Sequence, residues 1–400
     1  MKKTKENRHI LSIILAVILL FSGVTACSND KNESGGEEDT MAAETIIFLF
    51  PYSGLESQIS QNIADIKSAV TAQGGLGNTR IVIINAINLI NAKMTELEYA
   101  DSICTESVID GLMQLEFLSD DQAKAAEALQ DIFLRVKEAA PAKSYSIVIG
   151  SHGSAWLPAG IDILTLTSAT GTGGQKRAFG TASAKNQISH DALITAAENS
   201  KTHFNYVFFD ACLMSNIETI YGYRNICDYF IASAAETPSY GAPYKAILKS
   251  LINHNYADVA DGFVSYYADS TFPYTCFAVT RCEKLNELAQ TVKMIRTLED
   301  GNTASLSDVQ KYDGMKATLF YDLADYIHKV YPASPLLDTF DNIMSQVVVS
   351  KACTKYIFTT LPTEKRIPLT SFCGISTSSP TANELALPSL QETAWYMDTH

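Results

Sequence analysis

The sequence predicts an α/β fold, a three-layer α/β/α sandwich with a mostly parallel central sheet. Short apolar segments rich in β-branched and aromatic residues, such as 145–149 and 206–209, are typical of buried parallel strands. Segments with helical spacing alternate with them, as expected when helices cover both faces of one sheet. Each of these two strand segments also runs directly into residues capable of chemistry.

The first half of the chain supplies this alternation in order. Leu55, Ile59, Ile63, Ile66 and Val70 recur at helical spacing until Gly74 and Gly75 end the helix. A later segment has an Asp-rich start, helix-forming interior residues and a proline after its last residue, which predicts a second helix. The predicted elements are a strand at 44–50, a helix at 55–70, a strand at 80–84, a helix at 120–140 and a strand at 145–150.

The alternation continues after a long segment, 153–188, in which no clear element is predicted. A loop of this length inside a compact domain is usually functional or mobile. Ser189 predicts the cap of the helix that follows it. The predicted elements are then a helix at 189–199, a strand at 206–209, a helix at 213–221, a strand at 229–233, a helix at 244–251, a strand at 275–279, helices at 316–331 and 335–350, and strands at 354–360 and 371–377.

The N-terminus predicts an exported protein. Four basic residues within the first eight precede an apolar segment, 10–21, that is too short to span a membrane comfortably. Residues 24–27 resemble a bacterial lipobox, which implies cleavage before Cys27 and lipid attachment to its thiol. An ordinary signal peptide or a small anchor helix are the alternatives. The polar, acidic tether at 27–44 also resembles a surface-export signal, so we expect a lipoprotein of the outer membrane or cell surface of a Gram-negative bacterium.

Composition and charge narrow the classes of ligand and cofactor that this chain is expected to bind. The formal net charge of −14 argues against nucleic acid, whose phosphates need basic residues, and is compatible with basic peptides. No histidine or cysteine cluster has the spacing of a metal site, so no metal or other cofactor is predicted. Besides Cys27 and Cys212, six cysteines could form up to three disulfides or remain free thiols: Cys104, Cys227, Cys276, Cys282, Cys353 and Cys373.

A cysteine and a histidine follow two predicted parallel strands. Because the carboxyl ends of parallel strands meet at one sheet edge, Cys212 and His152 can converge as a nucleophile and its imidazole partner. The predicted helix after Cys212 would direct its dipole at the thiol. The backbone N–H groups of Gly153 and Cys212 could form an oxyanion hole. The alternatives are a buried structural cysteine and a solvent-facing loop histidine.

Asp210 lies two residues before Cys212. In extended backbone the two side chains project to the same side, with Ala211 facing away. A carboxylate in contact with the thiol would raise its pKa, so Asp210 is a poor activating group. It could instead form the floor of a pocket for a basic side chain, or it could cap a helix that begins near Leu213. Spacing alone leaves both interpretations open.

These residues resemble the clostripain family of caspase-like (clan CD) cysteine peptidases. The resemblance covers about residues 45–400, and its two central motifs are specific when they occur together. It implies a caspase-like α/β/α sandwich with a C-terminal α/β extension. The motifs that carry it are Gly150-Ser-His-Gly-Ser-Ala-Trp156, Phe209-Asp-Ala-Cys-Leu-Met214 with Glu218, Ala232-Ser-Ala-Ala-Glu236, Gly241-Ala-Pro-Tyr244, Phe320-Tyr-Asp-Leu323 and Cys373-Gly-Ile-Ser376.

The resemblance also implies site roles. It implies an endopeptidase with a Cys212/His152 dyad that cleaves peptides or proteins after Arg or Lys, with Asp210 and Glu236 as acidic groups of the substrate pocket. Ser239, Tyr240 and Ala242 are not acidic, which is a departure from relatives with a second acidic pocket residue. It further implies internal cleavage between His152 and Cys212, for which the long loop offers Lys176, Arg177 and Lys185. These three could equally be ordinary solvated basic residues.

The expected organisation has four parts. Residues 1–26 are a lipoprotein signal peptide, 27–44 a flexible tether, 45–300 the peptidase domain, and 301–400 a C-terminal α/β portion packed on that domain or continuing it. The expected membrane contact is through the N-terminal lipid alone. Two other functions fit the same pattern: a catalytically inactive surface-binding lipoprotein on this fold, and a thiol hydrolase of different specificity.

Overall fold

The computed structural model describes residues 41–88, 91–114, 121–160, 177–181, 186–301 and 306–400. The predicted signal peptide and Cys27 lie outside the described residues, as do Lys176 and Lys185 of the long loop. Within the described ranges, no helix is both long and apolar enough to cross a membrane.

The strands follow one another along the described chain with these bounds: β1 Ala42–Phe50, β2 Thr79–Ala86, β3 Asn91–Ala100, β4 Ile103–Gln114, β5 Ala142–Gly150, β6 His152–Pro158, β7 Arg177–Gly180, β8 Gln187–Ser189, β9 Phe204–Asp210, β10 Cys227–Ala232, β11 Cys276–Arg281, β12 Tyr321–Asp322, β13 Val348–Cys353, β14 Tyr356–Thr359, β15 Lys365–Pro368 and β16 Ser376–Thr377. The helices are α1 Glu56–Ala72, α2 Gln122–Ala139, α3 His190–Asn199, α4 Ile217–Tyr223, α5 Tyr244–Ile252, α6 Tyr256–Ala268, α7 Leu285–Leu298, α8 Leu323–Val330, α9 Leu337–Val347, α10 Leu387–Gln391 and α11 Ala394–Thr399.

Nine strands form the central sheet, in the order β13-β11-β10-β9-β5-β1-β2-β3-β4. The five strands in its middle, from β10 to β2, pair in parallel. The hairpin β3–β4 extends one side antiparallel, and β11 with β13 extends the other. The predicted α/β fold with a largely parallel central sheet is confirmed, and its antiparallel edges are an addition.

Both faces of the sheet are buried, which explains why its central strands are continuously apolar. Successive side chains point to opposite faces, so Ile47 and Leu49 pack on one side while Ile46 and Phe48 pack on the other. Helices α1, α5 and α6 cover the second side, and α2, α3, α4 and α7 cover the first. This arrangement is the predicted three-layer sandwich.

The long loop contains more structure than predicted. Residues 153–188 were expected to hold no clear element, but strands β6, β7 and β8 form a small antiparallel sheet there. The three strands are short, and in β6–β7 the pairing shifts register between Gly153 and Pro158. Short strands of this kind lack the apolar period that makes longer strands readable from sequence.

Two predicted helices begin later than expected. The helix predicted at 213–221 begins at Ile217, where Asn216 caps it by accepting a hydrogen bond from the Thr219 N–H. The helix predicted from residue 316 begins only at Leu323, capped by Asp322. In both cases the apolar residues upstream are buried in loops by contacts distant in sequence, which local periodicity does not reveal.

Strand β13, from the predicted C-terminal portion, pairs with β11 at one edge of the central sheet. The domain division at residue 301 stays a prediction.

Candidate active site

Two neighbouring parallel strands bring the predicted site residues to one sheet edge. Strands β5 and β9 pair directly, with Gly150 opposite Asp210, and the Ser151 N–H donates to the Asp210 carbonyl at 3.2 Å. The chain after each strand therefore leaves the sheet at the same place. His152, Asp210, Cys212 and Glu236 line one cleft of about 670 Å³ there. The other lining residues are Leu55, Ser151, Thr237, Pro238, Ser239, Tyr240, Gly241, Thr271, Phe272, Phe358, Thr360 and Glu364.

The Cys212 thiol is partly buried in this cleft. Its Sγ accepts a hydrogen bond from the Thr237 N–H at 3.4 Å and lies 3.7 Å from the Thr237 hydroxyl. Burial, followed by the charge of nearby Glu236, raises the pKa of the Cys212 thiol to about 11. In the free protein at neutral pH, the sulfur is therefore a thiol and not a thiolate.

The imidazole of His152 has the opposite shift. His152 begins strand β6, and burial in the cleft lowers the pKa of its side chain below the usual 6.5. The neutral imidazole of His152 and the neutral thiol of Cys212 thus line the same cleft. Both pKa shifts disfavour an ion pair between an imidazolium and a thiolate in the free protein.

The loop after Cys212 differs from the predicted geometry. Leu213 has a positive φ of 65°, and four residues separate Cys212 from the start of helix α4. The expected alignment of a helix dipole with the thiol is therefore wrong. Instead, a tight loop follows Cys212, and two hydrogen bonds hold it to the segment after strand β10. The Leu213 N–H donates to the Ala235 carbonyl, and the Ser215 N–H donates to the Ser233 carbonyl.

Gly153 lies against this loop. A β-carbon at position 153 would lie 2.6 Å from the Cys212 carbonyl oxygen and 2.8 Å from Met214 Sδ. Contacts below 3.0 Å with backbone are not tolerated, so only glycine fits between the two segments. The close approach places the peptide at residue 153 beside the peptide at residue 212.

Asp210 is a buried carboxylate of the cleft. Its Oδ2 accepts hydrogen bonds from the Ala242 N–H and the Tyr244 hydroxyl, each at 2.8 Å. Its buried Oδ1 has no hydrogen-bond partner among the residues that the structure describes. Burial raises the pKa of Asp210 to about 6, although the two bonds partly offset that effect. Because Asn216 caps helix α4, the alternative role of Asp210 as a helix cap is wrong.

Glu236 lies in the cleft but its carboxylate is engaged. Oε1 accepts hydrogen bonds from the Thr359 hydroxyl at 2.6 Å and the Thr360 N–H at 2.7 Å, and Oε2 accepts from the Thr360 hydroxyl at 2.7 Å. These bonds tie the end of strand β14 to the segment after β10. Glu236 thus closes one side of the cleft while contributing negative charge to it.

The remaining predicted residues lie elsewhere. Arg177 begins strand β7, where it pairs with Pro158. All seven cysteines of the described chain are free, so the three possible disulfides are not formed; the shortest recorded sulfur–sulfur approach is 3.6 Å, between Cys227 and Cys282. Among the described residues, no group of histidine, cysteine and carboxylate side chains has the geometry of a metal site.

Sequence reasoning missed the contacts of several residues in the cleft or next to it. Thr237, which contacts the thiol, and Tyr244, which holds Asp210, act through contacts that span 25 and 34 residues. The aromatic side chains of Phe272 and Phe358 come from elements near the sheet edge β11 and from strand β14. No local spacing signals such contacts, although Tyr244 does fall in one of the blocks that carry the family resemblance.

The fold and cleft define a cysteine peptidase of the α/β class. The model of the clostripain family (peptidase family C11) matches residues 53–397, and the chain belongs to this family. It is therefore an enzyme, a cysteine peptidase. This finding argues against the alternative of a catalytically inactive surface-binding lipoprotein. No curated protein matches the chain.

Solved structures show the same relationship. Iotapain, a secreted C11 cysteine protease of Bacteroides thetaiotaomicron, is 30% identical with a TM-score of 0.81, over 90% of this chain and 99% of that one. A clostripain of Bacteroides thetaiotaomicron in complex with the peptide inhibitor BTN-VLTK-AOMK is 33% identical with a TM-score of 0.51, over 54% and 96%. An inactive zymogen C11 protease of Parabacteroides distasonis, 24% identical with a TM-score of 0.73 over 90% and 99%, shares the fold.

Proposed function

We propose that this protein is an endopeptidase that cleaves after Arg or Lys, with Cys212 as nucleophile and His152 as its acid–base partner. The observation that carries the specificity is the buried carboxylate of Asp210, a residue that lines the cleft with the thiol and whose Oδ1 has no hydrogen-bond partner among the described residues. A guanidinium or ammonium group would give that oxygen its missing partner. An uncharged side chain would leave it unsatisfied at a cost of about 1–3 kcal/mol.

Related proteins support the same preference. The inhibitor bound by the Bacteroides thetaiotaomicron clostripain has the peptide sequence VLTK, which ends in lysine. Glu236 adds negative charge to the cleft even though its oxygens already accept bonds from Thr359 and Thr360. We assign it a supporting electrostatic role, with Asp210 as the direct partner of the substrate cation.

The reaction is an acyl transfer in two steps. The Cys212 sulfur attacks the carbonyl carbon after the basic residue, and the thiol proton passes to His152. The backbone N–H groups of Gly153 and Cys212 stabilise the oxyanion, and the close approach of these two residues favours this pairing. His152 then gives the proton to the leaving amine, and the C–N bond breaks. Water hydrolyses the thioester and restores the thiol.

The electrostatics of the cleft couple substrate to nucleophile. The negative charges of Glu236 and Asp210 both raise the pKa of the Cys212 thiol, after the larger effect of burial. A bound Arg or Lys side chain would neutralise part of that field and so lower the pKa of the thiol. A substrate with a basic side chain would then promote ionisation of the Cys212 thiol that attacks it. This is consistent with a free protein in which the thiol and the imidazole are both neutral.

Labelling and turnover test this function together. An internally quenched peptide with one Lys should be cleaved after it, and its Gln counterpart at least about 100-fold more slowly, since the Asp210 partner is lost. A lysyl chloromethyl ketone should label wild type and fail to label Cys212→Ala. Equal cleavage of the Lys and Gln peptides would contradict the basic preference and favour a thiol hydrolase of different specificity. Labelling elsewhere than Cys212 would contradict the nucleophile.

Export and lipidation are also proposals. Iotapain is described as secreted, which supports an exported protein. Incorporation of an alkyne fatty acid into wild type, lost in Cys27→Ser, would test the anchor. Equal incorporation into both proteins would contradict Cys27 as the lipidated residue.

A further inference from the structure

One face of the hairpin β14–β15 extends beyond the cleft. Phe358 pairs with Arg366 and Tyr356 with Pro368 across the antiparallel strands. Directly opposite residues share a face, and so do residues two apart along a strand. Tyr356, Phe358 and Arg366 therefore project from the same face of the hairpin, while the other face carries Ile357, which is buried.

Three aromatic rings stand between the cleft and the rest of this face, and we call them the aromatic wall: Phe272, Tyr274 and Phe358. Phe272 packs edge-on against Tyr274 and Phe358, with ring centroids 5.0 and 4.9 Å apart. Phe272 and Phe358 line the cleft. Tyr274 lines a separate cavity on the other side of the wall.

That cavity has a volume of about 600 Å³, and we call it the basic pocket. It is lined by Ala268, Pro273, Tyr274, Thr354, Lys355, Tyr356 and Arg366. The Arg366 guanidinium carbon lies 5.0 Å from the centre of the Tyr274 ring, and Lys355 Nζ lies 5.5 Å from that of Tyr356. Aromatic contacts of this kind hold the two cations in place while leaving their N–H groups available.

Neither cation has an ion-pair partner among the residues that the structure describes. Three carboxylates, those of Asp210, Glu236 and Glu364, line the cleft, whereas none of the residues that line the basic pocket is acidic. The two cavities thus present opposite charge to anything that lies across the aromatic wall.

We propose that the basic pocket is a second substrate subsite that takes the carboxylate side chain of an Asp or Glu in the same peptide. This inference rests on the proposed function, because the peptide's basic residue occupies the cleft. The distances place Arg366 within about 10 Å of the Phe272 ring, which extended peptide crosses in about three residues. The enzyme then selects sequences in which an acidic residue lies close to the basic one.

A positional scan tests this specificity. Quenched peptides with a single Lys carry Asp, or Asn as the neutral counterpart, at each of the four positions on either side. Wild type should prefer Asp over Asn at one or two adjacent positions, by about threefold to tenfold in kcat/KM, since an exposed charge-assisted contact is modest. Arg366→Gln should remove the preference and leave cleavage of the Asn peptides unchanged. Arg366→Lys should keep part of it.

The matched control is Lys293→Gln, which removes one positive charge from the exposed surface of α7. It should keep the full Asp preference. Equal kcat/KM for the Asp and Asn peptides at every position in wild type would overturn the proposed subsite. A preference for Asp that remains in Arg366→Gln would overturn it as well. Loss of the preference in Lys293→Gln as well would reduce it to a general effect of net charge and overturn it equally.

A binding measurement separates this inference from the proposed function. The Cys212→Ala protein should bind the favoured Asp peptide about threefold to tenfold more tightly than its Asn counterpart, and Arg366→Gln on that background should abolish the difference. If no Lys peptide is cleaved by wild type, the proposed function fails while this comparison still decides the pocket. Equal affinity for the two peptides, or no binding of either, would overturn it.

Discussion

Gly153 and Cys212 approach each other so closely that a β-carbon on Gly153 would lie 2.6 Å from the Cys212 carbonyl oxygen. The two residues follow different strands, β5 and β9, which are distant in sequence but pair directly in the sheet. The contact joins the imidazole-bearing segment to the thiol-bearing loop. Any side chain at position 153 must push these segments apart.

Gly153→Ala should therefore reduce kcat/KM for a Lys peptide by about 100-fold or more, because it displaces the N–H groups assigned to the oxyanion. Gly262→Ala is the control. It lies within helix α6, where its β-carbon would meet an Ile247 methyl group at 3.2 Å and the Ala246 carbonyl oxygen only at 3.7 Å. Circular dichroism would verify that both variants fold. Full activity of folded Gly153→Ala would refute the close-contact interpretation.

Asp210→Asn should stabilise the protein while abolishing its basic preference. Because burial raises the pKa of Asp210 to about 6, the ionised group favours the unfolded state. The gain in unfolding free energy should be about 3 kcal/mol at pH 8, where Asp210 is ionised, and should fall to about 0.5 kcal/mol near pH 4. Denaturant unfolding at pH 8 and pH 4 measures it.

The exposed Asp261→Asn on α6 is the matched control and should change stability little at either pH. A loss of stability in Asp210→Asn at pH 8 would mean that the carboxylate is satisfied in the folded protein. That result would contradict the proposal that Asp210 Oδ1 binds the cation of the substrate side chain.

Glu236→Gln should make the Cys212 thiol more reactive. After burial, the charge of Glu236 is the largest cause of the raised thiol pKa, and glutamine removes the charge while its amide oxygen still accepts from Thr359 and Thr360. We expect iodoacetamide alkylation at pH 8 to accelerate about threefold. Glu364→Gln, also in the cleft, is the control; equal acceleration in both variants would argue against a specific role of Glu236.

A pH-dependent contact lies near the amino-terminal end of strand β1. His254 Nε2 lies 2.9 Å from Oε2 of the buried Glu44, and this hydrogen bond raises the pKa of His254 above 6.5. The contact therefore stabilises the fold fully below pH 6.5, and the contribution is lost as pH rises through the higher folded value. His254→Asn should cost about 0.5–1 kcal/mol at pH 5.5 and less at pH 8.5. A cost independent of pH would contradict this.

Self-processing is a separate expectation. Mass spectrometry of purified protein should show cleavage after Lys176, Arg177 or Lys185 in wild type and an intact chain in Cys212→Ala. Because Arg177 begins strand β7, cleavage after it requires a strand end to leave its sheet. Cleavage of both proteins at the same site would assign it to another protease.

Much of the fold followed from sequence because the central strands are buried on both faces. Continuous apolar segments such as β1, β5 and β9 are stable only when both faces of the strand are buried. Their alternation with helices therefore predicts the sandwich. Short strands such as β7 and β8 carry no such signal. The late start of helix α4 was also hidden, since the apolar residues before it are buried by contacts distant in sequence.

The sequence by itself indicated the family and proposed His152 and Cys212 as the reactive side chains, because each follows a buried strand, β5 or β9. Tertiary structure alone decided what surrounds them. The partnerless oxygen of Asp210, the engagement of Glu236 by Thr359 and Thr360, and the basic pocket beyond the aromatic wall all depend on segments far apart along the chain. Local spacing fixes which groups a strand presents, whereas charge, burial and access depend on which other segments pack against it.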